Sequence, residues 1–141
     1  MKLMELLAEP WALPDESYAV LCEAAQKGTS VREFKGAPPE VDMEAFHGGR
    51  DRGEMELDQV IDGVAVIPVR GYLTARMYWR GDRQSYEWVG LQLRSALKSP
   101  SVRGVLLHVD SQGGQVAGTE ALAQQIFDGR QVKPIRSFVS G

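Results

Sequence analysis

Cysteine, histidine and clustered basic charge are scarce in this 141-residue chain. Cys22 has no second cysteine for an internal disulfide, and with only His47 and His108 beside it no zinc-ligand spacing arises. No metal and no cofactor is therefore expected, and such sparing cysteine use fits a reducing, cytoplasmic setting. Sixteen Lys and Arg against nineteen Asp and Glu leave a formal charge of -3. None of the dense basic runs needed to track a phosphate backbone is present, so nucleic acid is not an expected partner. The longest apolar runs fall far below the ~18 residues that span a bilayer. The opening MKLMELLAEPWALP is interrupted by Glu5 and Glu9 and has no small-residue cleavage site, so neither a membrane span nor an export signal is expected.

What is present suits one globular domain, since 43% of the residues are apolar and 25% charged, enough for a core and enough to keep it wet outside. Residues 1 to about 27 read as one amphipathic helix. Its start is marked by Pro14, Asp15 and Glu16, its face by Tyr18, Leu21, Cys22 and Ala25, and its end by Gly28. From Gly28 to about Gly53 glycine, proline and charge dominate, and an arm or linker without regular structure is expected. The division is thus 1–57 for helix and flexible arm, and 58–141 for the main domain. There, strands at 64–71, 104–110 and 133–141 alternate with helices at 85–100 and 116–129. In the first of these helices Trp88, Val89, Leu91, Leu93, Ala96 and Leu97 form a broad apolar face, and Gln92, Arg94 and Lys98 are expected to face water. Val105, Leu106, Leu107 and Val109 read as a strand buried on both faces. The alternation predicts an α/β fold, a mostly parallel sheet covered by helices and joined by right-handed crossovers.

The stretch HVDSQGGQVAG, residues 108–118, falls where the second strand hands over to a helix. Ligands in open α/β sheets bind outside the carboxyl ends of the strands, so this is the leading candidate site. Gly113 and Gly114 can take positive φ and turn backbone N–H groups toward an anion or an acyl-transfer oxyanion. They can equally be no more than a turn from strand to helix. Ser111 could be a nucleophile at a strand-to-helix elbow, but the leading glycine of that motif is absent. His108 in an apolar strand reads as a packed core residue rather than a free base. Asp110 has no second carboxylate at chelating distance and reads as a turn cap.

Taken with its flanks, this stretch resembles the S49 family of serine peptidases, which takes in signal peptide peptidases and the head-maturation peptidases of tailed phages and prophages. The resemblance runs through PWAL near the start, DGVAVIPVRGYL at 62–73, SYEWVGLQLRSAL at 85–97, PSVRGVLLHVDSQGGQVAG at 100–118 and KPIRSFVSG at 133–141. It implies a ClpP/crotonase-like fold of ββα units. It also implies an oxyanion and substrate-binding segment at Asp110, Ser111, Gln112, Gly113 and Gly114, with Gln112 standing where the family has proline. That substitution loosens the turn, because proline pre-sets φ and glutamine does not. The family's nucleophilic serine and its lysine base would both fall beyond Gly141, so the resemblance implies a truncated, N-terminal portion without catalytic residues, inactive alone. Ser140 precedes the nucleophile's place and does not inherit the role. The implied partners are a polypeptide substrate, such as a capsid or scaffold protein, and further copies of the chain, and the implied setting is cytoplasmic or prohead-associated. Two alternatives remain open: a non-catalytic capsid-associated subunit with the same fold, and a crotonase-like acyl-CoA enzyme.

Overall fold

The computed structural model describes residues 1–37 and 55–141. Its centre is a mixed sheet whose three longest strands, β3 (Val64–Leu73), β4 (Gly104–Gln115) and β5 (Ile135–Val139), run parallel with β4 in the middle. Two short strands pair antiparallel at its margins: β2 (Val60–Ile61) with β3, and β1 (Trp11–Ala12) with the far end of β4. Asp62 (φ 50°) and Gly63 (φ 79°) close the β2–β3 hairpin. Two successive positive-φ residues make the tight two-residue loop whose twist matches the strands it joins.

Helix α4 (Tyr86–Lys98) joins β3 to β4, and α5 (Thr119–Gly129) joins β4 to β5. The two helices pack on each other, and α4 also packs on the sheet. Between α4 and the sheet lies the main core: Ala65, Ile67 and Val69 of β3, Val105 and Leu107 of β4, and Trp88, Val89, Leu93 and Ala96 of α4. Period-two alternation in the strands and the broad stripe on α4 bring these residues together. Ser85 caps α4 by accepting a hydrogen bond from the Trp88 amide at 3.1 Å.

The α/β class and the alternation of strands and helices are as the sequence indicates, but several local expectations are corrected. Gln92 does not face water. It is buried at 2% exposure, where its amide donates to the Glu56 carbonyl (2.8 Å) and accepts from the Asp58 amide (3.1 Å), satisfying a polar group that would otherwise be costly to bury. β4 is not buried on both faces: Val105 and Leu107 are buried under the helices, while Leu106 and His108, on the reverse face, are half-exposed. The helix read from 116 begins at Thr119, because β4 runs on through both glycines to Gln115 and Gly118, left-handed at φ 90°, forms the N-cap.

The N-terminal region is also richer than one helix. It contains α1 (Leu3–Leu6), β1, α2 (Asp15–Gln26) and α3 (Val31–Phe34). α2 starts where Pro14, Asp15 and Glu16 indicate, with the two acids in the first turn beside the positive end of the helix dipole. α3 lies in the segment expected to be irregular. Ser30 and Glu33 form a reciprocal capping box that fixes its start. The remainder of the expected arm, 38–54, lies outside the described residues. Leu3, Leu6, Leu21, Ala25 and Val31 make a second, separate core cluster, with Trp11, Phe34 and Tyr78 packed around it.

Candidate functional site

The candidate residues lie on the carboxyl-terminal half of β4, at the end of the parallel strands. Up to Asp110 the β3–β4 ladder is regular, pairing Arg70 with Asp110. It resumes with Tyr72 opposite Gly113, so Ser111 and Gln112 together face Gly71. One extra residue on β4 makes a bulge, a device that bends a strand and re-aims its side chains. The bulge is held by Ser111, whose hydroxyl donates to the Gly71 carbonyl at 2.6 Å and accepts from the Gly113 amide at 3.0 Å. Gly71 itself has φ 69°.

The two glycines do not turn the chain into a helix. They let three backbones meet. A Cβ on Gly114 would fall against the backbone carbonyl of Leu73 in β3, and one on Gly113 would fall against the carbonyl of Ala12 in β1. Gly113 also has φ 114°, a conformation L side chains rarely adopt. The turn into α5 belongs instead to Gly118. Asp110 is exposed, with a carboxylate oxygen where a Cβ on Gly141 would fall, and Gln112 is exposed too.

Among the described residues Ser111 meets no base, and its hydrogen is committed to Gly71. The serine that does meet a base is Ser140, with Oγ 2.8 Å from His108 Nε2. His108 is therefore not a packed core residue. It is half-exposed on the face of β4 turned away from α4, its ring 5.6 Å from that of Phe138. The contact forms because His108 pairs with Phe138 in the β4–β5 ladder and Ser140 continues beyond it, its amide donating to the Val109 carbonyl at 2.9 Å. Only the parallel register reveals it, and no local sequence spacing does.

Beside the glycines stands the loop from Thr74 to Ser85, which carries polar groups the sequence did not single out. Gln115, buried at 4% exposure, accepts the Ala75 amide at 2.8 Å on its side chain and the Tyr86 hydroxyl at 2.9 Å on its carbonyl. Asp82 is buried completely. It accepts Lys35 Nζ (2.6 Å) and the Tyr78 amide (3.0 Å) on one oxygen and the Gln84 amide (3.1 Å) on the other. Lys35 also donates to Thr74 Oγ1 at 2.7 Å. Burial draws the Lys35 pKa below its ordinary value, and the Asp82 charge only partly offsets this. Forty-seven residues separate the pair, so no motif announces it. Among the described residues no group of three metal-ligating side chains exists, and no helix is long and apolar enough to cross a membrane.

With this geometry described, two known proteins are informative. The chain is 39% identical over 80 residues to the head-tail preconnector protein GP5 of Enterobacteria phage P21, a match covering 55% of this chain and 16% of that protein. It is 36% identical over 80 residues to the capsid assembly protease C of Escherichia phage lambda, covering 55% of this chain and 18% of that protein. The similarity is to phage head proteins. The matched stretch spans less than a fifth of the length of either relative. No family model matches the sequence. No solved structure matches it either.

Proposed function

We propose that this chain carries the oxyanion and substrate-strand half of an S49-like serine endopeptidase on a ClpP/crotonase-like sheet, acting on capsid or scaffold proteins of a phage or prophage. The observation that carries the proposal is the 80-residue similarity to a protein named for capsid assembly proteolysis. Its location agrees: Asp110, Ser111, Gln112, Gly113 and Gly114 lie at the carboxyl end of the parallel strands, where α/β sheets bind ligands. In this proposal the Ser111 hydroxyl occupies the place of the oxyanion. It holds the Gly113 amide in the resting state and gives it up when a tetrahedral intermediate forms. A Ser–Lys mechanism requires both a nucleophile and a base, and the proposal gives neither role to a described residue of this chain.

The test is cleavage of a capsid or scaffold chain by the full reading frame set beside the 141 residues alone. Cleavage by the former only is expected. Cleavage by the 141 residues that disappears in Ser140→Ala would replace this proposal with a second one, a Ser140–His108 pair, which the 2.8 Å contact favours. Self-association is part of the same proposal, because Phe138 and Val139 are exposed at 57% and 66% and β5 pairs with β4 alone among the described strands. Light scattering should give a multimer, and a monomer across a wide concentration range would oppose it.

A further inference from the structure

The edge of β4 opposite β3 is shared by two strands. β5 covers it from Val105 to Val109, and β1 covers it at Gly114 and Gln115. The second partner is slight. β1 has two residues, lies between Pro10 and Pro14, and adds one further backbone bond, from the Val116 amide to the Pro10 carbonyl at 2.9 Å. It belongs to the N-terminal core cluster, which shares no buried residue with the main core. Among the described residues the links between the two units include Lys35 with Asp82 and Thr74 and over the Tyr78 and Trp79 rings, Gln84 Nε2 to the Lys35 carbonyl (3.1 Å), the Tyr72 hydroxyl to the Ser17 carbonyl (3.2 Å), the Phe34 ring against Tyr72 at 4.9 Å, and Tyr78 packed on the N-terminal cluster.

We propose that the β4 edge at Gly114–Val116 is a docking edge for an extended polypeptide segment, and that Pro10–Leu13 is an internal occupant which such a segment displaces. The inference rests on the peptidase proposal for the identity of the visitor. The edge itself is argued from the strands. An extended peptide adds to a sheet edge through main-chain hydrogen bonds, and antiparallel pairing is how β1 already sits. Gly113 presents no side chain there, so the neighbouring backbone comes close enough for the Ala12 carbonyl to fill the space a Cβ would take. Leu13 lies next to this position, its Cδ2 3.5 Å from where that Cβ would be, so the docking segment is expected to carry an apolar residue at the corresponding place. Proline at either side of the occupant limits its own strand to two residues, so few main-chain bonds must break for a visitor to enter.

The experiment titrates a fluorescein-labelled peptide of residues 8–15, AEPWALPD, against the 141-residue chain and its Ala12→Pro variant by fluorescence anisotropy. The variant removes an amide from β1 and should bind the peptide at least tenfold more tightly. Equal affinity, or binding by neither folded protein, overturns the proposal. Hydrogen exchange on the unaltered chain gives a second measurement should the variant fail to fold. The Val116 amide should exchange at least tenfold faster than those of Val105 to Val109, and equal protection would make β1 a fixed part of the sheet and overturn the proposal. Peptide binding combined with no cleavage by the full reading frame supports the docking edge while refuting the peptidase function.

Discussion

The two halves of β4 are built for different purposes. From Val105 to Val109 the strand is apolar but for His108, regularly paired on both edges, and packed under α4. From Asp110 to Gln115 it is polar or glycine, bulged, and bordered by a two-residue strand from a separate cluster. The first half obtains its stability from buried side chains, and the second gives them up so that backbones can approach. A strand that abandons side-chain packing at the end where ligands bind keeps its hydrogen-bonding groups close to whatever lies beside it.

The sharpest way to break this contrast is to give each half a methyl group. Gly114→Ala should cost on the order of 4 kcal/mol or more, since the new Cβ meets the Leu73 backbone and nothing flexible can yield. Gly104→Ala at the other end, where a Cβ would stand 3.5 Å from the Pro134 carbonyl, should change stability by less than about 1 kcal/mol. Urea midpoints for both variants check this, and similar losses would erase the distinction. Leu107→Ala tests the packed half: a loss of about 3 kcal/mol is expected from its buried side chain. Cleavage per folded molecule by the full reading frame should not change. Ser111→Ala should cost about 1 kcal/mol for its lost bonds to Gly71 and Gly113, and a loss as large as that of Leu107→Ala would mean that the bulge is part of the core.

The smallest effect is electrostatic and belongs to the polar end. The Lys35 ammonium is buried with Asp82, and its pKa in the folded chain lies below the ordinary 10.5. Between those two values the unfolded chain binds the proton more tightly, so stability should rise as pH climbs toward 10.5 and fall as pH drops through the folded value. Burial raises the pKa of Tyr78 and Tyr86, which acts the other way above their ordinary 10.0, so the slope is best read below pH 10. Lys35→Met should flatten it. A slope unchanged in that variant would assign it to another group.

Periodicity made the packed half legible. β3, α4, β5 and the first part of β4 could be read from alternation and from the apolar stripe led by Trp88 and Leu93. The polar half was legible in position but not in form. Paired glycines ordinarily signal a turn, and only the Leu73 and Ala12 carbonyls explain why Gly113 and Gly114 remain within a strand. Gln92 read as a wet residue because its partners, the backbone at Glu56 and Asp58, lie more than thirty positions away. Lys35 and Asp82 gave no sign for the same reason: each alone is an ordinary surface charge, and folding makes them a pair.

The pairing of Ala12 with Gly114 joins points about a hundred residues apart in the chain. At a synthesis rate of about 5–20 residues per second, the N-terminal segment is finished roughly 5 to 20 s before its partner strand exists. Leu3, Leu6, Leu21 and Val31 can gather without waiting, since the buried members of their cluster all lie within the first 31 residues, and Tyr78 joins them later. Trp11 can also settle early, its indole N–H donating to the Leu6 carbonyl at 2.9 Å. β1 thus waits on its cap until Gly114 and Gln115 are made, and the β4–β5 ladder is the one that must follow.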